Sequence, residues 1–331
     1  MRESHLALGA AINHGLRQAL EDDPKVLLMG EDVGRLGGVF RVTDGLQKDF
    51  GADRVIDTPL AESGIVGTAV GLAVRGYRPV CEIQFDGFVC PAFDQVVSQL
   101  AKLRARSGGT LPMPVVIRIP YGGGIGAVEH HSESNETYFA HTAGLRVVVC
   151  STPGDAHAMV QQAIRSDDPV IFYEPKRRYW EKGPVTPGSV ASRTGVLPLH
   201  AARVVRPGSD ATLLAYGAMV RVALDAATAA EAEGRSLEVI DLRSLSPLDL
   251  PTLVASVRRT GRAVVVHEAP RFLGMGAEIA AELTEQCFHS LEAPVQRVAG
   301  FDVPYPPGRV EEDFLPDLDR VLDAVDRSFE Y

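Results

Sequence analysis

The sequence predicts an α/β protein in which two parallel sheets are each covered by helices on both faces. Short, unbroken apolar runs, such as residues 170–173 and 263–266, alternate along the chain with amphipathic helical patterns. Strands buried on both faces give such unbroken runs because neither face meets water. The alternation lapses once, over residues 175–196, where proline and glycine cluster. A lapse of this kind is typical of a connection between domains.

The elements of the amino-terminal part follow in order. A helix over residues 6–20 should end at Asp22-Asp23-Pro24, because proline cannot continue a helix. The uncharged run 64–74 indicates a helix that is packed away from water. Further helices are predicted over 92–106 and 155–165, and strands over 26–29, 115–119, 146–149 and 170–173.

The same alternation resumes after the connection. Strands are predicted over 212–215, 237–240 and 263–266, and helices over 218–233, 248–260 and 276–290. We therefore predict a domain over residues 1–180, a linker over 181–200 and a smaller domain over 201–331.

Charge and cysteine usage restrict the class of protein. A net charge of −10 at pH 7 argues against nucleic acid or an anionic membrane as the main partner. No apolar run approaches the roughly 18–20 residues that span a bilayer, and Met1-Arg2-Glu3-Ser4-His5 lacks a signal-peptide pattern. The four cysteines, Cys81, Cys90, Cys150 and Cys287, have no metal-ligand spacing. These features predict a cytoplasmic protein.

The most informative stretch is residues 56–64, where Glu62 follows a Thr-Pro turn and begins the uncharged run. A buried carboxyl group takes up a proton or finds a partner, and sharing a proton with a ligand nitrogen is a common catalytic device. The alternative is an acid that only interacts with the dipole of its helix.

A second candidate lies after the strand predicted over 115–119. Glycines at 122, 123, 124 and 126 precede Glu129-His130-His131. Ligands gather at the carboxyl ends of parallel strands, and glycine lets backbone approach them closely. His131 is the candidate for proton transfer, since imidazole titrates near neutral pH. Both histidines are alternatively surface residues of a loop.

A third candidate is the turn 85–91, where Phe88 could stack on a flat ring or simply fill the core. Other enzyme classes lack their signatures here. The chain has no dinucleotide-binding Gly-x-Gly-x-x-Gly, no Gly-Lys-Ser/Thr phosphate loop and no Gly-x-Ser-x-Gly elbow at these turns.

Together these segments resemble the β subunit of the thiamine-diphosphate-dependent decarboxylase component of 2-oxo acid dehydrogenase complexes. The resemblance spans nearly the whole chain in consistent order. It rests on Gly30-Glu-Asp-Val33, Asp57-Thr-Pro-Leu-Ala-Glu62, Glu82-Ile-Gln-Phe85, Pro91-Ala-Phe-Asp-Gln95, His131-Ser132, Asp168-Pro-Val-Ile-Phe-Tyr-Glu-Pro175 and Tyr305-Pro-Pro307. It implies a transketolase-like fold, with a pyrimidine-binding domain followed by a transketolase-type carboxyl-terminal domain.

The resemblance also implies roles for particular residues. Glu62 would hydrogen-bond the aminopyrimidine ring of thiamine diphosphate, Phe88 would stack on that ring, and Ile65 would contribute to the same site. His131 would assist proton transfer and reductive acylation of a lipoyl group. Glu133 is a departure, because several relatives carry Gln there, and its charge could alter the pKa of His131.

Partners follow from the same resemblance. The family's Gly-Asp-Gly signature ending in Asn-Asn, which holds magnesium diphosphate, is missing. A separate α subunit is expected to supply it in an α2β2 heterotetramer. The acidic end from Glu311 to Tyr331 would dock the subunit-binding domain of an acyltransferase core, or is only a solvated helix face.

Some relatives hold a potassium ion at the segment that matches residues 163–168. Its ligands here would be Val115, Ala163, Ile164, Ser166 and Asp168, unless Asp167-Asp168-Pro169 only forms a turn.

The stretches 82–85 and 91–95 favour the branched-chain type of complex, with pyruvate or acetoin as alternatives. Two rivals from other classes are a noncatalytic scaffold subunit that keeps the fold, and a self-sufficient nucleotide-dependent α/β enzyme. Retention of both Glu62 and His131 argues against the scaffold, and the missing phosphate motifs argue against the nucleotide enzyme.

Overall fold

The computed structural model describes residues 4–331, which divide into two compact units. The first contains the described residues up to Tyr121 together with Tyr138–Leu199, and the second contains Gly122–Thr137 and His200–Tyr331. The segment 122–137 was predicted within the amino-terminal domain, whereas its backbone amides bond to carboxylates of the second unit. The predicted domain bounds stay a prediction. Residues 1–3 belong to the first predicted domain and to the segment that lacks a signal-peptide pattern, and they lie outside the described residues.

The first unit is built on a parallel sheet. Strands β2–β7 run in the order β6-β7-β5-β4-β2-β3, and β1 pairs antiparallel with β8. The strands are β1 Ser4–Ala7, β2 Val26–Gly30, β3 Val55–Asp57, β4 Arg78–Glu82, β5 Val116–Tyr121, β6 Arg146–Val149, β7 Val170–Pro175 and β8 Lys182–Val185.

The second unit has its own sheet, in the order β14-β13-β10-β11-β9, which is parallel except at the β9–β11 edge. The strands of this sheet are β9 Arg203–Arg206, β10 Ala211–Ala215, β11 Leu237–Asp241, β13 Ala263–Pro270 and β14 Gln296–Gly300, and the unit also contains the short strand β12 Ser244–Ser246. The predicted α/β class with parallel sheets is confirmed.

Helices pack on these sheets through apolar stripes. In α1, Leu8, Ile12 and Leu16 recur at helical spacing and are buried. Gly15 lets α1 approach α6 closely, since a Cβ there would lie 2.4 Å from Val160 Cγ1. The helices are α1 Leu8–Asp22, α2 Leu46–Phe50, α3 Glu62–Val74, α4 Ala101–Arg106, α5 Glu136–Ala140, α6 Pro153–Arg165, α7 Met219–Ala232, α8 Leu250–Thr260, α9 Met275–Cys287, α10 Glu311–Phe314 and α11 Leu318–Ser328.

Two predicted helices differ from expectation. The uncharged run 64–74 is helical but not packed away, because only one face of α3 meets the core, through Ile65, Val66, Ala69 and Ala73, while Gly64, Thr68 and Gly71 are exposed. The helix predicted over 92–106 becomes a regular α-helix only at Ala101, after a 3-10 turn at Asp86–Ala92 that contains Pro91 and a π-type turn at Gln95–Leu100.

The acidic end is also less solvated than predicted. Glu311, Phe314 and Leu315 are buried. Helix α11 packs Val321, Ala324 and Val325 into the hydrophobic core of the second unit. Among the described helices, none has the length and apolarity that crossing a bilayer requires.

Candidate active site

The carboxyl ends of β2, β3 and β4 meet at one edge of the first sheet, because these strands are parallel neighbours. Glu31 directly follows β2, Glu62 begins α3 shortly after β3, and Gln84 follows β4. The Gln84 amide donates to the backbone carbonyl of Glu31 at 3.2 Å, which ties two of these strand ends together.

Glu62 occupies the first turn of α3 and is only 9% exposed. Its position at a helix amino terminus favours negative charge there. Ile65 lies one turn further along the helix and is buried. Residues three apart lie on one face of a helix, so Glu62 and Ile65 are placed side by side, as the resemblance implies for one site.

Glu31 is a site residue that the sequence analysis did not assign. It is 7% exposed, and burial, then the charge of Glu62, then that of Asp32 raise the pKa of its carboxyl group. Its Oε1 atom and the Thr58 hydroxyl, at the end of β3, are buried without a hydrogen-bond partner among the described residues. Buried polar atoms are normally paired, so these atoms mark a place where a ligand or partner group would bond. The available signal was an acid directly after a buried strand.

Phe88 lies in the 3-10 turn that follows β4 and is half-buried. Its ring meets Phe85 edge-on at 5.6 Å. A fully buried ion pair stabilises the turn, because Lys176 Nζ lies 2.5 Å from Asp86 Oδ1. The same Lys176 Nζ lies 5.5 Å from the centre of the Phe85 ring. A buried charge requires such a partner, and this pair therefore fixes where the turn begins.

A second buried ionic network joins β4, β5 and β7 beneath this edge. The Arg118 guanidinium donates to Glu174 through two bonds of 2.6 and 2.9 Å and to Glu82 at 2.8 Å, and Tyr179 donates to Glu174 at 2.6 Å. Burial disfavours the arginine charge, but Glu174 and Glu82 together raise the pKa of Arg118 above its ordinary value. Burial raises the pKa of Glu82. The network holds the strands in register below the site.

His131 belongs to the second unit, in the single turn Glu129–His131. It is half-buried, and its ring meets that of His130 at 4.3 Å. The glycine loop before it is held by carboxylates: Gly123 N–H donates to Glu268 at 2.9 Å, and Gly124 and Gly126 N–H donate to Glu311 at 3.0 and 2.7 Å. Glu133 is exposed.

The segment predicted to hold potassium fits an isolated cation poorly. Arg104 and Arg146 bind the two oxygens of the Asp168 carboxylate, each at 2.6 Å, and the charges and bonds of Arg146 and Arg104 outweigh burial and lower the pKa of Asp168. Arg78 donates to the carbonyl groups of Ile164 and Ser166, both at 3.1 Å.

The other two predicted carbonyl ligands also carry bonds, because Ala163 accepts from Ser166 and Val115 accepts from Val170. Arginine side chains thus bind three of the five predicted ligand residues, namely Ile164, Ser166 and Asp168. The potassium site stays a prediction.

The chain is similar to known proteins over nearly its whole length. Residues 4–181 match the family described as transketolase, pyrimidine binding domain, and residues 200–321 match the transketolase, C-terminal domain. The chain is 62% identical to the pyruvate dehydrogenase E1 component subunit beta of Leifsonia xyli subsp. xyli, covering 100% of this chain and 96% of that protein. It is 57% identical to the 3-methyl-2-oxobutanoate dehydrogenase subunit beta of Mycobacterium tuberculosis, covering 97% and 91%.

A solved structure gives separate support for the fold. A split-gene transketolase, described as an inactive beta4 tetramer, superposes with a TM-score of 0.77 over 98% of both chains at 23% identity. At that identity the likeness supports the transketolase-like architecture and not the chemistry.

Proposed function

The chain belongs to the family of β subunits of the E1 component of 2-oxo acid dehydrogenase complexes, and from this premise we propose that it carries half of a thiamine diphosphate site. E1 components of this family are oxidoreductases, and their names imply an α partner within a larger complex. The proposed reaction is oxidative decarboxylation of a 2-oxo acid with reductive acylation of a lipoyl group.

One observation carries the proposal: two buried carboxyl groups, Glu31 and Glu62, share the strand edge where Glu31 Oε1 and the Thr58 hydroxyl have no partner among the described residues. These groups fit a ligand that offers ring nitrogens, as the aminopyrimidine of the cofactor does. When bound, thiamine diphosphate supplies an electron sink for cleavage of the bond to the carboxylate.

The residues of this chain would orient that group and handle its protons. Glu62 would hold a ring nitrogen through its carboxyl group, with Ile65 packing beside it and Phe88 stacking on the flat ring. His131 would transfer a proton during decarboxylation or acylation of the lipoyl group.

For the partners, we propose an α2β2 heterotetramer in which the α subunit holds magnesium and the diphosphate. The exposed face of α3, with Gly64, Thr68 and Gly71, is uncharged and small, so it could pack closely against another helix. We further propose that exposed acids such as Asp317, Asp319 and Asp323 bind a basic subunit-binding domain of an acyltransferase core.

For the substrate, branched-chain 2-oxo acids are favoured by the stretches 82–85 and 91–95. The name of the Mycobacterium relative also specifies a branched acid. Pyruvate is the second candidate, because the relative from Leifsonia is named for it.

The experiment is to co-express the chain with candidate α subunits and purify the pair with thiamine diphosphate and magnesium. Decarboxylation of pyruvate and of the three branched 2-oxo acids would then be followed with an artificial electron acceptor. A higher kcat/KM for the branched acids supports the favoured substrate, and a higher value for pyruvate assigns the chain to the pyruvate type. A well-assembled pair with no activity on any of the four acids would favour the noncatalytic scaffold.

A further inference from the structure

The glycine loop over residues 122–126, which precedes His131, depends on other parts of the chain for its conformation. Gly122, Gly124 and Gly126 adopt left-handed φ angles of 82°, 81° and 71°, and the glycines bring no side chains to pack. Ordering glycine costs more backbone entropy than ordering other residues, so the order must come from contacts made by distant parts of the chain.

Part of that order comes from Glu268, which accepts from Gly123 N–H at 2.9 Å, and part comes from Glu311, which is 185 and 187 residues away along the chain from Gly126 and Gly124. Its two carboxylate oxygens each accept one backbone N–H, from Gly126 at 2.7 Å and from Gly124 at 3.0 Å. Tyr305 donates its hydroxyl to the second oxygen at 2.9 Å. Glu311 is 5% exposed, and hydrogen bonds to a buried carboxylate are about twice as strong as those between neutral groups.

The close contact between the glycine loop and the segment 305–311 leaves no room for side chains at Gly123 and Gly308. A Cβ on Gly123 would lie 1.8 Å from the Tyr305 hydroxyl oxygen, and a Cβ on Gly308 would lie 2.8 Å from the carbonyl oxygen of Gly126. The loop backbone therefore lies directly against the segment 305–311. Successive backbone N–H groups in such a loop form a concavity that suits an anion, and Glu311 fills it.

The loop also closes on itself around His131. Gly122 N–H donates to the carbonyl of Glu133 at 3.0 Å, and His131 N–H donates to that of Val128. The turn Glu129–His131 therefore lies between the Gly122–Glu133 hydrogen bond and the segment 124–126, which Glu311 binds. A shift of the segment 124–126 would move the His131 imidazole.

We propose that Glu311, with Tyr305, is a positioning residue for His131, acting through the glycine loop. This inference rests on the proposed role of His131. It also gives the conspicuous Tyr305-Pro-Pro307 stretch and the first acid of the carboxyl-terminal run a function distinct from docking a partner.

The test uses the assembled α–β pair with Glu311→Gln, which keeps the shape of the side chain but replaces one accepting oxygen with a donor. Asp313→Asn, on an exposed acid two residues away, is the matched control. We expect Glu311→Gln to lower kcat for reductive acylation of a lipoyl domain on the order of tenfold, since misplacing a catalytic group by about 1 Å can cost as much as a hundredfold. Amide hydrogen exchange of peptides from 122–137 should become faster, and Asp313→Asn should change neither.

A double-mutant cycle separates positioning from a general structural role. If Glu311 acts through His131, Glu311→Gln should cost little further activity in a His131→Ala background, whereas independent effects would multiply and overturn the proposal. Tyr305→Phe, which removes only the hydroxyl donor, gives the same cycle if Glu311→Gln fails to assemble.

Two other outcomes are distinguishable. Full acylation by His131→Ala would refute the proposed role of His131 and this inference with it. Unchanged exchange in Glu311→Gln, with His131 shown to be essential, would refute the inference and leave the proposed function intact.

Discussion

The carboxyl group of Glu31 lies within the electrostatic reach of Glu62, and after burial itself the charge of Glu62 is the main cause that raises the pKa of Glu31. Glu31 therefore holds its proton more readily than an exposed acid does. This arrangement suits a site that exchanges protons with a bound ring.

Glu31→Gln should stabilise the fold at neutral pH. A carboxyl group whose pKa is raised by folding binds its proton more tightly in the folded state, so stability falls as pH rises through the folded pKa. A neutral amide removes that loss. We expect a higher unfolding temperature at pH 7 and a smaller difference at pH 4, together with lower activity, because stability and function trade off at such sites. An unfolding temperature below that of the unmodified protein at pH 7 would contradict this account.

Breaking the buried pair under the Phe88 turn should be costly. Lys176→Met removes the ammonium group that pairs with buried Asp86, and removing one partner of such a pair costs about 3–5 kcal/mol. The double variant Lys176→Met with Asp86→Leu should recover much of that loss, because the buried carboxylate is removed as well. Denaturant unfolding of the three proteins measures both values, and equal stability of the single and double variants would count against the ion pair as an anchor.

The buried His267 should make the protein sensitive to acid. Burial lowers the pKa of His267 to about 4, and its Nδ1 bonds to the carbonyl of Ala269. The unfolded chain gains a proton below about pH 6.5 and the folded chain does not, so stability is lost as pH falls from about 6.5 toward 4. A shift of this size corresponds to about 3 kcal/mol.

A nontitrating variant tests that assignment. His267→Asn can keep the donor to Ala269, and we expect a shallower decline of the unfolding temperature between pH 6.5 and 4. His157, whose pKa burial also lowers to about 4, would still contribute. An unchanged slope in His267→Asn would show that other groups cause the acid sensitivity.

Potassium should have no specific effect on the segment 163–168. Arg104 and Arg146 neutralise Asp168, and Arg78 holds the Ile164 and Ser166 carbonyls. We expect the same unfolding temperature in potassium and sodium at equal ionic strength. A rise specific to potassium, abolished by Asp168→Asn, would show that the arginines move aside for the ion.

Much of the fold could be predicted because local pattern decided it. The runs 170–173 and 263–266 are unbroken apolar runs and became the interior strands β7 and β13, each with a neighbouring strand on both sides. The strand β8 could not be predicted in this way, because Lys182-Gly183-Pro184-Val185 carries glycine and proline and depends on pairing with β1, far away in sequence.

The candidate site was predicted where a residue stood out locally. Glu62 is conspicuous as the acid that precedes the uncharged run 64–74, whereas Glu31 lies in an ordinary acidic pair with Asp32. Glu311 resembles its neighbours Glu312 and Asp313 in sequence, but it is buried and bonds to Gly124 and Gly126, which lie 187 and 185 residues away. Burial of this kind is a property of the tertiary structure and has no local signal.

The most direct test of the central claim is the rate of 2-oxo acid decarboxylation by the assembled pair carrying Glu62→Gln, against an Asp53→Asn control on an exposed acid. General acid–base assistance contributes about 10²–10⁴-fold, so we predict a loss of at least a hundredfold in kcat with assembly intact and the control unaffected. Decarboxylation by Glu62→Gln within a few fold of the unmodified pair would contradict the claim that this carboxyl group operates the cofactor.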